Sequence, residues 1–133
     1  MVRAVGSGGL ERLSDLRLGN CRVGGGVCAE LVSCLGAQCP RLSVLSLCGN
    51  WAVGEGAAVV TALAEGPFLE LSDLRLYNSG LETGDVMRLV THLQEDPAAF
   101  PKLSRLGFGD LAAEEVLLAV EELKLLRPAL AVN

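Results

Sequence analysis

The pattern L-x-x-L-x-L recurs along this chain at a nearly fixed interval. It starts at Leu13 (LSDLRLGNC), Leu42 (LSVLSLCGN) and Leu71 (LSDLRLYNS), which are equally spaced, and a near-copy starts at Leu103 (LSRLGFGDL) after a slightly longer interval. A period of this length marks a solenoid, in which a single unit cannot bury its apolar face alone and does so against its neighbours. The 133 residues suffice for about four such units. The pattern also argues against a classical active site, because the recurring residues are committed to packing.

Half of the residues are apolar but only 4% are aromatic, so the core must be built from Leu, Val and Ala. The second unit shows how. Leu45 and Leu47 alternate with Val44, Ser46 and Cys48, the period of two expected of a short strand. Gly49-Asn50 turns the chain. A helix is predicted from Glu55 to about Glu65, with Val59, Val60 and Leu63 on its buried stripe, and Gly66-Pro67 ends it. Stacked βα coils of this kind give a parallel sheet inside and helices outside.

The first unit places Val27, Leu31 and Leu35 on its helix, and the third places Val86, Leu89, Val90 and Leu93. Leu31, Val60 and Leu89 share one repeat position; Leu35, Ala64 and Leu93 share another. The longer third period is assigned to a loop insertion, QEDPAAFPK, between helix and strand. The fourth unit decays: its helix, about Ala112–Arg127, reads as a terminal cap with a solvated acidic stripe (Glu114, Glu115, Glu121, Glu122), stopped by Arg127-Pro128. Residues 1–12 read as the tail of a preceding unit or an incomplete cap, and residues 13–133 as the repeat domain. The first strand is expected to be covered by further sequence, by a partner chain or by self-association, because an open strand edge leaves backbone groups unpaired.

The net charge of −5 argues against nucleic acid and anionic membrane surfaces as partners. It is unevenly spread: residues 1–41 hold five arginines against three acids (+2), and residues 42–133 hold six basic residues against thirteen acids (−7). The longest strongly apolar stretch, Gly56–Ala64, is far short of the roughly 20 residues of a membrane helix, and MVRAVGSGG has no secretory apolar segment. Five cysteines (Cys21, Cys28, Cys34, Cys39, Cys48), an odd number, point to a reducing compartment, cytoplasmic or nuclear. With no C-x-x-C pair and His92 far along the chain, a zinc site is not expected, nor is any cofactor. Cys28 and Cys34 read as buried small hydrophobes, and Cys48 as the best candidate for a reactive thiol. His92 is expected on the exposed convex side. Trp51, in the turn after the second strand, is read as packing over a coil edge.

These residues resemble the leucine-rich repeat consensus L-x-x-L-x-L-x-x-[N/C]-x-L over about residues 13–111. The stretch Asn50–Ala58 is similar to the ribonuclease-inhibitor-like subclass, while Gln38-Cys39-Pro40-Arg41-Leu42 with Cys48 resembles the cysteine-containing repeats of F-box-type receptors. The chain departs from the consensus at Ala52, Phe108, Leu111 and Ala113. The resemblance implies an α/β solenoid: a curved horseshoe with short parallel strands on the concave face, helices on the convex face, and a concave sheet that binds a protein partner without catalysis. Two other functions carried by related repeats are a GTPase-activating regulator, like the Ran GTPase-activating proteins, and the substrate-receptor arm of a ubiquitin ligase. Arg22 in its glycine-rich turn is the residue that raises the first of these.

Strand alternation names the residues of the concave face. The third repeat position gives Asp15, Val44, Asp73 and Arg105, and the fifth gives Arg17, Ser46, Arg75 and Gly107. The seventh adds Gly19, Cys48, Tyr77 and Gly109. Asp15, Arg17, Val44, Ser46, Cys48, Asp73, Arg75, Tyr77 and Arg105 form the candidate partner-binding surface, a charged ladder with one aromatic.

Overall fold

Each leucine pattern becomes a three-residue strand, and each intervening stretch a helix. The computed structural model describes residues 12–18, 25–49, 56–77, 81–108 and 113–132. In chain order the elements are β1 (Asp15–Arg17), α1 (Gly25–Gln38), β2 (Val44–Ser46), α2 (Gly56–Glu65), β3 (Asp73–Arg75), α3 (Thr83–Glu95), β4 (Arg105–Gly107), α4 (Glu114–Leu126) and β5 (Ala131–Val132). The fold is therefore α/β with alternating strands and helices. The strands form one parallel sheet in sequence order, β1-β2-β3-β4-β5. Each helix packs against the next.

One register runs through the sheet. Leu16, Leu45, Leu74 and Leu106 stand opposite one another and are all buried. Leu42, Leu71 and Leu103 are buried at the first pattern position, and Leu18, Leu47, Leu76 and Phe108 at the sixth. Phe108 thus fills a leucine slot without loss of burial. Each fully buried leucine contributes roughly 1.5–3 kcal/mol relative to an exposed one.

The second position of every pattern is serine, and these serines link the coils. The carbonyl of Ser14 accepts the Ser43 N–H (2.8 Å), the Val44 N–H (3.0 Å) and the Ser43 hydroxyl (2.9 Å). The carbonyl of Ser43 likewise accepts the N–H of Ser72 (2.9 Å) and Asp73 (3.0 Å) and the Ser72 hydroxyl (3.1 Å). Ser72 does the same for Ser104 and Arg105. The ladder weakens at β5, where the Ser104 carbonyl takes only the Ala131 N–H (2.8 Å) and the residue opposite Ser104 is Leu130.

The helices bury the expected stripes with two exceptions. Val59, Val60 and Leu63 of α2 and Val86, Leu89, Val90 and Leu93 of α3 are buried. Ala64 is only half-buried, and Val27 is 47% exposed, with Cys28 taking the core position beside it. Helix α4 buries Val116, Ala119, Val120 and Leu123. Each of these lies nearer in sequence to its α3 counterpart than β4 lies to β3, so the connection into α4 is shorter than the one into α3. The acidic stripe expected on α4 is exposed, but Leu117, Leu118, Leu125 and Leu126 are exposed with it. The sheet also extends past this helix: β5 pairs with β4 after Arg127-Pro128, a strand that the leucine pattern does not announce.

The returns from helix to strand carry a second buried column. Cys39, Phe68 and Phe100 occupy equivalent places just ahead of the pattern leucines Leu42, Leu71 and Leu103, and all are buried. Phe68 and Phe100 stack with centroids 5.5 Å apart and planes 4° from parallel. Phe100 sits at φ 47°, a left-handed conformation costing roughly 1–2 kcal/mol for a side chain of this kind. Arg127 holds that turn. Its guanidinium donates to the carbonyls of Ala99 (2.6 Å), Phe100 (2.8 Å), Asp96 (3.1 Å) and Leu93 (3.2 Å). The charge thereby meets the C-terminal carbonyls of α3, which have no partner inside the helix. Of the expected insertion QEDPAAFPK, Gln94 and Glu95 complete α3 and residues 96–102 form this loop.

Among the described residues no helix is long and apolar enough to cross a membrane. Arg127→Ala is expected to lower the unfolding free energy by about 1.5–3 kcal/mol, the range for hydrogen bonds from a charged donor. Arg127→Lys should recover only part of it, because a compact ammonium with three donors cannot serve all four carbonyls. Urea unfolding monitored by circular dichroism measures both.

Candidate functional site

Because successive strand residues point to opposite faces, burying the fourth-position leucines sends the third and fifth positions to the other side of the sheet. The register makes two cross-strand rows there: Asp15, Val44, Asp73 and Arg105, and Arg17, Ser46, Arg75 and Gly107. All nine candidate residues fall within the described structure. Asp15 and Arg17 form a two-point ion pair, Nε to Oδ1 at 3.0 Å and Nη2 to Oδ2 at 3.2 Å, both side chains about half exposed. Such an exposed pair is worth under about 1 kcal/mol.

Two strands along, Arg75 repeats the pairing with Asp73, Nε to Oδ1 at 3.1 Å and Nη2 to Oδ2 at 2.8 Å. Here the carboxylate is buried and the guanidinium lies partly open. The hydrogen bond to Asp73, reinforced by its negative charge, holds the Arg75 proton more firmly than in solution. Asp73 therefore orients Arg75 and is largely closed to a partner itself. Ser46 is also buried, its Oγ 3.3 Å from the half-buried Cys48 Sγ. The expected adjacency of Arg105 and Asp73 is present in the register, but Asp73 bonds Arg75. Among the described residues no carboxylate lies within ion-pair distance of the exposed Arg105.

Tyr77 lies across Gly107 on the neighbouring strand. A Cβ added at Gly107 would run into the tyrosine ring and hydroxyl, so glycine permits this close approach. The face thus divides into an exposed Asp15–Arg17 pair, a small central step at Val44 and Ser46, and a far side of Arg75, Tyr77 and Arg105. Its donors and aromatic surface suit carboxylates and backbone carbonyls of a docked protein.

Other candidates fall elsewhere. His92 is half-buried, not exposed, in a groove between α2 and α3 lined by Val60, Met87, Arg88 and Thr91. Arg22, Cys21, Asn50, Trp51, Ser79, Leu111, Gly19 and Gly109 lie outside the described residues, as do residues 1–11. Cys28 is buried as expected and Cys34 half-buried, while Cys28, Cys34, Cys39 and Cys48 form no disulfide. Among the described residues no three His, Cys, Asp or Glu side chains converge on one point. Comparison with models of known protein families and with curated protein sequences found no match.

Strand alternation missed the serine ladder and the Tyr77–Gly107 contact. The ladder had a signal, the L-S-x-L common to all four copies. The contact had none, since it joins residues on two strands.

Burial, and secondarily the neighbouring Cys34, pushes the Cys39 thiol above its ordinary range. A raised pKa means that the folded state disfavours the thiolate. The stability that this group contributes is present below the ordinary thiol pKa and is lost as pH rises through the folded value. Stability should therefore fall at alkaline pH, and Cys39→Ala should flatten that fall while lowering stability at neutral pH. Urea unfolding as a function of pH tests both. Mass-resolved alkylation should find Cys39 slower to react than Cys34.

Proposed function

We propose that this chain is a leucine-rich repeat solenoid of the ribonuclease-inhibitor-like kind, and that it is a non-catalytic module binding a protein through the sheet face opposite its helices. The observation that carries the reading is the far side of that face. Arg75 is held in place by a buried carboxylate, Arg105 stands beside it without a described acidic partner, and Tyr77 is seated on Gly107. Arginine and tyrosine supply a large share of binding energy at protein interfaces, most of all where their geometry is set before the partner arrives. Short strands in one register and helices packed in series support the solenoid, which presents such residues on one continuous surface. A reducing, cytoplasmic setting accords with the odd cysteine count.

Affinity capture from the source cell with wild type, Arg105→Glu, Tyr77→Ala and the helix-side Arg88→Ala tests the assignment. A partner bound by this face should be retained by Arg88→Ala and lose about tenfold or more affinity with each of the other two. Equal capture by all four proteins, each with its melting temperature verified, would remove the sheet face from consideration.

A further inference from the structure

Charge on the two rows of the sheet face is not balanced. They hold three arginines and two aspartates, all within the described residues. Asp15 pairs with Arg17, and Asp73 with Arg75. Arg105 is the surplus. It is exposed on β4, and its other neighbour in the row is Ala131 of β5, too small to cover it. Arg75 also has donors to spare. It gives Nε and Nη2 to Asp73, while Nη1 donates to no described residue. A carboxylate on one edge of a guanidinium fixes its plane and leaves the end of the fork for a second acceptor.

The spacing of these two arginines is set by the register. Arg105 stands opposite Asp73, and Arg75 opposite Gly107, so the arginines are diagonal neighbours, one strand over and two residues along. Strands about 4.8 Å apart, with a rise of about 3.3 Å per residue, put their Cα atoms about 8 Å from each other. Gly107 stands at the corner of that diagonal, and the Tyr77 ring fills the space where its side chain would be. Two guanidinium groups thus flank an aromatic surface.

We infer that the protein partner presents an extended acidic segment to this corner, with two carboxylate side chains separated by one residue, one on Arg75 and one on Arg105. In an extended chain such side chains point the same way, and their Cα atoms lie about 6.6–7 Å apart, close to the arginine diagonal. The residue between them passes over the Tyr77 ring. Opposite charge at matched spacing selects this partner over a neutral one. The assignment rests on protein binding by the sheet face and adds the chemistry of what is bound. Nucleic acid suits the face less well, because its binding draws on many phosphate contacts, and here the two aspartates offset two of the three arginines.

Selection of a displayed library of short random peptides on the full chain at low salt tests it. Sequences of the form acid-x-acid should be enriched. Such a peptide, made synthetically, should lose about tenfold or more affinity when either acid becomes its amide, and with Arg105→Gln. High salt should weaken it, and Arg88→Ala should leave it unchanged. Arg105→Glu should move the enrichment to a basic residue at one of the two acid positions, a result that damage to the fold cannot produce. Enriched peptides without acid-x-acid, lost with Arg105→Glu and Tyr77→Ala, would overturn the acidic assignment and keep the sheet face as the docking surface. Peptides that ignore both variants would overturn the sheet face with it. An absence of enrichment, or binding of single-stranded poly(U) RNA that depends on Arg105, would also overturn the assignment.

Discussion

Everything in this molecule depends on strands being held in one register. A parallel pair places equivalent residues side by side at about 4.8 Å, so a leucine buried in one coil forces the equivalent leucine of the next into the same layer. Leu16, Leu45, Leu74 and Leu106 are that layer. A slip by one residue would turn all of them to the opposite face. The serine ladder opposes such a slip, because its hydroxyls and N–H groups meet the carbonyl of the preceding coil only in this register.

The returning loops pose a different problem. A three-residue strand gives little pairing energy, so each coil must also be closed behind its helix. Cys39, Phe68 and Phe100 do this with side chains in one column, and the two rings stack. The third return is the longest and the most demanding, since Phe100 adopts a left-handed backbone. Arg127 reaches across from the end of α4 to bind four carbonyls there. The residue that reads in the sequence as a helix stop is thus also the clamp of the preceding coil.

The same regularity produces the surface of interest. Packing consumes one side of each strand and leaves the other to carry whatever side chains the turns of sequence supply. The repeated D-x-R yields an exposed pair in β1 and a half-sunken one in β3. The difference comes from the neighbours: β3 has strands on both sides, and β1 has a described strand on only one. Identical tripeptides therefore differ in accessibility, with Asp73 serving as the support of Arg75 where Asp15 lies open.

By itself the sequence determined the strand positions, the facing rows from Asp15 to Arg105, the buried helical stripes and the site of the loop insertion. All of these follow from periodicity, which is a local property of the chain. Only the tertiary structure decided that Tyr77 covers Gly107, that Asp73 chooses Arg75 over Arg105, that Cys28 takes the core position beside an exposed Val27, and that Ala131–Val132 joins the sheet. Those outcomes depend on what lies in the neighbouring coil, a full repeat away along the chain. Contacts of this kind are set by stacking and, unlike the serine ladder, leave no mark in the residues on either side of them.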